Sequence, residues 1–444
     1  MRQRRRSMRL IAIFLGLSLV AAACGDDDDT EASDDTTEED GEGSGGDATA
    51  APEFGDAAPE CTGEEDGTLR IGGLLPETGN LAFLGPPMTA GGQLAVNEIN
   101  AAGGVLGKPI VYSPGDSGDT STDIANQTVD RHLNEGADVI LGAASSGVSF
   151  TVIDKIAAAC KVMLTPANTS PDFTDYDDDD LYFRTAPSDV LQGRVLADLM
   201  IEDGMTSAAL MALQDPYGEG LLEFTKQPFE EAGGEVVTEL VYDPQAQSFD
   251  AEIDEVVAAE PDAVVVIGFD ESSRIMTGLF EAGITPDQLY LVDCNIGNAT
   301  GDDFTSPGAL VGVQGTQPAA EVTEEFKAQL LEVDPGLIDY NYAPETYDAV
   351  VIVSLAAELA GTDNPAEVAT FINGVTREGE KCSTWADCKE LIDGGTTDID
   401  YDGPSGPQSF SQPGEPTEAS FSISTYGEDN RIDDSKTEYR TAQF

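Results

Sequence analysis

An α/β protein of two doubly wound parallel-sheet lobes is predicted by three observations. Short apolar, β-branched runs alternate with stretches of helical apolar spacing from Leu69 onward. The alternation restarts after Arg184-Thr185-Ala186-Pro187, and the body from Thr68 to Phe444, about 377 residues, exceeds the usual size of one domain. Strand–helix–strand units of this kind lay parallel strands side by side with helices on both faces.

Ahead of the body stands an export signal. Arg2, Arg4, Arg5, Arg6 and Arg9 form a basic head, and Leu10 to Val20 form an apolar run too short to span a bilayer, so residues 1–23 read as a signal peptide. The run closes on Leu19-Val20-Ala21-Ala22-Ala23-Cys24, which resembles the lipobox of bacterial lipoproteins, with Ala21 where Leu is usual. Cys24 is then a lipid anchor at the membrane. The alternative is an ordinary signal-peptidase site at the alanines. Residues 24–67 read as an acidic disordered tether, because Gly25 to Gly67 carry eighteen Asp or Glu and no Lys or Arg.

Within the body, Leu69 to Leu75 is strand-like and Ala90 to Ala101 helical; then come Pro109 to Ser113 (strand), Asp123 to Glu135 (helix), Ala137 to Leu141 (strand), Val152 to Ala159 (helix) and Val162 to Thr165 (strand). After the restart, helices are expected at Val195 to Glu202, Gly220 to Ala232, Phe249 to Ala259 and Ser273 to Ala282. Strands are expected at Ser207 to Leu213, Val236 to Tyr242, Ala263 to Ile267 and Leu289 to Val292. The late strand Ala419 to Tyr426 needs a separate crossing. Lobe one is therefore expected to comprise residues 68–187 plus 317–417, and lobe two residues 188–316 plus 418–444, joined by a three-crossing hinge.

Charge and cysteines bound the chemistry. The net charge is −63, and outside the signal and tether 66 acidic residues face 16 basic ones, which excludes nucleic acid as a partner. Cys382 and Cys388 are spaced to close a small loop, Cys61 and Cys160 each precede a strand and form a reasonable second bridge, and Cys294 is left over. With one histidine, His132, placed by its polar neighbours on a helix surface, neither a metal site nor a cofactor is expected. The run Asp175, Asp177, Asp178, Asp179 and Asp180 lacks the spacing of a calcium loop and reads as solvated.

Local sequences then carry a resemblance. Gly73-Leu74-Leu75-Pro76-Glu77-Thr78-Gly79, Ala95-Val96-Asn97-Glu98-Ile99-Asn100-Ala101-Ala102-Gly103-Gly104-Val105, Gly142-Ala143-Ala144-Ser145-Ser146, Thr165-Pro166-Ala167-Asn168-Thr169-Ser170-Pro171, Phe183-Arg184-Thr185 and Asp215-Pro216-Tyr217-Gly218-Glu219-Gly220 occur in that order. Together they resemble the type I periplasmic binding proteins, in particular the branched-chain amino acid receptors of ABC importers. The resemblance implies a non-enzymatic, monomeric solute receptor that closes two lobes on a small ligand and delivers it to an ABC permease. A ligand-sensing regulator on the same fold is the alternative, and an amide, urea or an aromatic acid could replace the amino acid.

The resemblance also implies site residues. Ser146 and Thr169 contact the ligand carboxylate, with Ala144 and Asn168 adding main-chain contacts; the competing reading of both hydroxyls is helix capping. Asp293 receives the ammonium, unless the register sets Cys294 there. Tyr217 closes over the ligand, Phe269 and Asp270 form a second contact from lobe two, and Phe83 or Leu84 lies in the first ligand loop. Phe269 could equally be core.

Overall fold

The computed structural model describes residues 59–444. The expected signal peptide, the expected anchor Cys24 and the expected tether as far as residue 58 lie outside the described residues.

The first half runs β1 (Arg70–Leu74), α1 (Gly85–Ala101), β2 (Val111–Ser113), α2 (Ile124–Asn134), β3 (Val139–Gly142), α3 (Ser146–Phe150), α4 (Ile153–Ala158), β4 (Val162–Thr165) and β5 (Tyr182–Arg184). Its sheet has the order β2-β1-β3-β4-β5, all parallel. The chain then builds α5 (Asp189–Glu202), β6 (Ser207–Leu213), α6 (Pro216–Glu231), β7 (Glu235–Tyr242), α7 (Asp250–Ala258), β8 (Ala263–Ile267), α8 (Ser272–Glu281), β9 (Leu289–Leu291), α9 (Asn298–Gly301) and β10 (Gln314–Pro318). The core strands β6 and β8 are almost continuous apolar runs, as strands covered on both faces must be.

Returning to the first half, α10 (Glu324–Val333), α11 (Ala343–Ala360), α12 (Pro365–Ile372), β11 (Glu380–Cys382), α13 (Trp385–Asp393) and β12 (Ile399–Tyr401) cover one face of the first sheet, with β11 and β12 as a small parallel pair. Helix α11 is its buried spine. It touches α1 so closely that a Cβ on Gly91 would stand 2.2 Å from the Ala343 carbonyl oxygen. Last, β13 (Glu418–Thr425) and β14 (Glu438–Gln443) extend the second sheet antiparallel, giving the order β14-β13-β10-β9-β8-β6-β7. The boundary expected between residues 316 and 317 falls inside β10, whose pairing with β13 continues to Pro318.

Three local expectations are corrected. Residues 59–67, assigned to the disordered tether, are held against the body: Cys61 is bonded to Cys160, and the Asp363 carboxylate accepts from the amides of Asp66, Gly67 and Thr68. His132 is buried, with Nε2 2.8 Å from the Gly73 carbonyl, and burial lowers its pKa. The small Gly72 makes room for it, since a Cβ there would meet the imidazole at 2.5 Å. Asp178 is half-buried rather than solvated; burial, with Asp180 adding, pushes its carboxyl up to about 7.

Both expected disulfides are present, Cys61–Cys160 across 99 residues and Cys382–Cys388 across 6, and Cys294 is a buried free thiol. Loop-closure entropy makes the long-range bridge the stronger constraint on the unfolded chain. Replacing Cys61 and Cys160 by Ser should cost about 5 kcal/mol in chemical denaturation, against about 2 kcal/mol for the Cys382 and Cys388 pair.

Candidate functional site

Every residue expected in the site lies after the C-terminal end of a parallel strand, Ser146 and Tyr217 on the first turns of the helices that follow, where doubly wound sheets place their ligands. Phe83 and Leu84 follow β1, Ala144 follows β3, Asn168 and Thr169 follow β4, Tyr217 follows β6, Phe269 and Asp270 follow β8, and Asp293 follows β9. The two sets of strand ends face each other. Leu75, Leu81, Leu84, Ala144 and Ala167 of the first half share one buried cluster with Tyr217, Phe269 and Cys294 of the second, and Phe83 packs against it. The Tyr217 and Phe269 rings are stacked at 5.8 Å.

Capping does not explain the two expected hydroxyls. Ser145, not Ser146, caps α3 by accepting from the Val148 amide at 3.3 Å, and Ser170, not Thr169, caps the turn at Pro171. Ser146 Oγ accepts only a long bond, 3.4 Å, from the Ser170 amide. Thr169 is 1 % exposed and its hydroxyl has no hydrogen-bond partner.

Asn168 and Ala144 are tied to each other: the Asn168 amide donates to the carbonyls of Ala143 and Ala144 at 3.0 and 2.9 Å. Beneath this loop lies Arg184, fully buried, donating to the Asn168 and Ser170 carbonyls and paired with Glu415. Its charge is spent on the loop and on that carboxylate, so it positions Thr169 and does not face the cleft as a free cation.

Asp293 is fully buried and already saturated. Its Oδ1 accepts from the Tyr217 hydroxyl at 2.7 Å and from Gln192 Nε2 at 3.0 Å; its Oδ2 accepts from the Tyr342 hydroxyl and the Cys294 thiol. Burial, reinforced by the Asp293 charge, keeps both phenols and the thiol protonated as donors. Tyr342 reaches Asp293 from the start of α11 in the first half, with its backbone in the left-handed region at φ 59°.

The orphan is Asp189, the first residue of α5. It is fully buried, neither carboxylate oxygen has a hydrogen-bond partner, and Gln192 Oε1, one turn along, has none either. Burial and then the neighbouring Asp293 charge push the Asp189 pKa well up, while the nearby Thr169 hydroxyl, too poorly placed to make a regular hydrogen bond, and Arg184 pull it down. Thr169, Asp189 and Gln192 thus form one buried group of unsatisfied oxygens, a cost that a ligand rich in N–H donors would remove. Asp189, Gln192 and Tyr342 are the residues that sequence reasoning missed. The legible signal was a polar pair at i, i+3, Asp189 and Gln192, among the otherwise apolar buried residues of α5. Asp270, by contrast, is exposed and does not join the buried group.

Known proteins match the chain and its fold. Residues 68–420 match the model of the family described as periplasmic binding protein. The chain belongs to that family. Its members are extracytoplasmic solute-binding receptors of ABC transporters, not enzymes. The Leu/Ile/Val-binding protein homolog 3 of Brucella melitensis is 27% identical over 326 residues, covering 69% of this chain and 83% of that protein. The substrate-binding protein LivJ of Streptococcus pneumoniae, solved with isoleucine, superposes with a TM-score of 0.68 at 21% identity over 84% of this chain and 99% of its own. A solute-binding protein of R. palustris solved with benzoate gives a TM-score of 0.66 at 20% identity over 85% of this chain and 96% of its own. Among the described residues no helix of this periplasmic binding protein is long and apolar enough to cross a membrane.

The two halves also touch directly, beside the site. Ser170 Oγ donates to the Pro216 carbonyl at 3.1 Å, and the Asp215 carboxylate, which caps α6, lies on the Gly147 amide; burial pushes its carboxyl up to about 6. A Cβ on Gly147 would stand 2.2 Å from Asp215 Oδ2, and one on Gly220 2.6 Å from Pro171. Gly147→Ala should therefore hold the halves apart, giving a larger radius of gyration than the wild type in small-angle scattering at unchanged circular dichroism. An unchanged radius would mean that this contact does not limit their approach.

Proposed function

We propose that this periplasmic binding protein is a monomeric receptor, lipid-anchored through Cys24, that closes two lobes over an α-amino acid and passes it to the permease of an ABC importer. Lobe one is residues 68–187 with 319–417, lobe two residues 188–318 with 418–444, and the hinge is the three crossings between them. The observation that carries the ligand class is the buried, unsatisfied trio of Thr169, Asp189 and Gln192 between the two sets of strand ends. An ammonium brings three N–H donors and the charge that Asp189 lacks a partner for.

In this reading Asp189 takes the ammonium, from the position where Asp293 was expected to. Asp293 instead fixes Tyr217, Tyr342 and Gln192 around the ligand and adds its field. Ser146 and the Thr169 hydroxyl serve the carboxylate, and Phe83, Leu84, Tyr217 and Phe269 form an apolar wall that suits a branched aliphatic side chain. Asp270 is at most a contact at the mouth. The aromatic-acid alternative has the stacked Tyr217 and Phe269 rings in its favour. Against it stand two buried carboxylates and an arginine committed to Glu415, which leave a purely anionic ligand without a counter-charge.

Calorimetric screening of the full chain against amino acids, amides, urea and benzoates identifies the ligand. With the best of them, Asp189→Asn should cost at least about 2 kcal/mol of affinity, as expected for loss of a charge-assisted contact to a desolvated ammonium, while Glu281→Gln on the exposed surface costs nothing measurable. Full affinity in Asp189→Asn would rule out an ammonium at this position. For the anchor, Cys24→Ala expressed in a bacterial host should move the protein from the membrane to the soluble fraction; retention in the membrane would exclude the lipid as its tether.

A further inference from the structure

At the chain crossings a groove of about 210 Å³ is walled by both lobes: Tyr340, Tyr342 and Glu345 line it from one, Ser422 and Tyr439 from the other. It is distinct from the cleft at the strand ends, although Tyr342 borders both. Glu345 sits where the crossings meet. The Thr185 hydroxyl of the first crossing donates to its carbonyl at 2.9 Å, and Pro318 of the second and Pro416 of the third line a small void beside it. Glu345 and Ser422 are each 3 % exposed, and Glu345 Oε2 and Ser422 Oγ have no hydrogen-bond partner.

We propose that this groove is a second ligand site, for a small organic cation whose ammonium group bonds to Glu345 and lies against the tyrosine rings. The tyrosine faces already attract positive charge, since Lys327 Nζ lies 5.9 Å from the centroid of Tyr340. The charged groups facing Glu345 are mostly acidic: Asp348 on its own helix, Glu418 at the third crossing, and Asp339 and Asp434 in the groove, against Lys327, which is paired with Glu324. A single carboxylate with one free oxygen, beside hydroxyls and aromatic rings, suits an ammonium better than a metal ion. Among the described residues no group of three or more His, Cys, Asp or Glu could hold a metal. Burial, with Asp348 adding, pushes the Glu345 carboxyl up to about 8, so at pH 7 the empty site is mainly neutral. A bound cation favours the carboxylate. Binding therefore releases a proton at pH 7, and affinity rises as the pH climbs through about 8.

This proposal does not depend on the identity of the cleft ligand. The test is calorimetry of the full chain with choline chloride and with ethylammonium chloride at fixed ionic strength, in buffers of different ionisation enthalpy. The expected result is saturable binding of at least one probe with proton release at pH 7. That binding should be unchanged in Asp189→Asn and at least tenfold weaker, without proton release, in Glu345→Gln. Ser422→Val, on the opposite wall, should weaken it similarly without touching the acid. Saturable binding of neither probe overturns the proposal. So does binding undiminished in both groove variants, or binding lost in Asp189→Asn, which would place the probe in the cleft.

Discussion

A buried charge must meet a counter-charge or a full set of donors, and the interior between the two halves of this protein is organised by that requirement. Arg184 and Glu415 satisfy each other while the guanidinium also draws in the carbonyls of Asn168 and Ser170. Asp293 is satisfied by two phenols, an amide and a thiol. These donors come from α6, α11, α5 and the loop after β9, so one carboxylate fixes the relative placement of elements from both halves. Asp189, beside them, is left with neither oxygen bonded. In the proposed reading the missing donors arrive from outside, on the ligand.

The fold was legible because its signals are redundant. Central parallel strands such as β8 are continuous apolar runs, and the restart after Pro187 coincides with the passage from one sheet to the other. The site was legible only in outline, because family motifs locate strand-end loops but do not say which polar group in a loop is already satisfied. Ser146 and Ser145 are adjacent and chemically alike; only the geometry shows that Ser145 is the cap. Asp189 follows the helix-capping Ser188, so its sequence context reads as an ordinary helix start. His132 was misplaced for a related reason: its neighbours on the helix are polar, and the cavity that accepts it is made by Gly72 on another element, which no local pattern reveals.

Closeness of the two halves rests on small residues as much as on bonds. Gly147 and Gly220, one on each half, face Asp215 and Pro171 at distances no side chain could occupy. The polar contacts beside them, Ser170 to Pro216 and Asp215 to the Gly147 amide, are few. These polar contacts oppose opening only weakly, because each group can turn to water when they part. What resists opening is the cluster in which Leu81 and Leu84 pack with Tyr217 and Phe269, and a bound side chain would add to that cluster. Binding and closing are then the same burial of apolar area.

Long-range electrostatics bear on the ligand independently of the cleft. With a net charge of −63 the molecule surrounds itself with a negative potential, screened beyond a Debye length of about 8 Å at physiological salt but strong within a concave site. An approaching carboxylate with no compensating cation is repelled over that last distance and then meets Asp189 and Asp293 in the interior. A zwitterion carries no net penalty and can turn its ammonium inward as it enters. A cation is drawn in outright, and the groove at Glu345 offers it a carboxylate that no protein donor satisfies fully. The same excess of acid that keeps the surface hydrated therefore favours ligands bearing an ammonium group at both places, and it does so most at low salt, where screening is least.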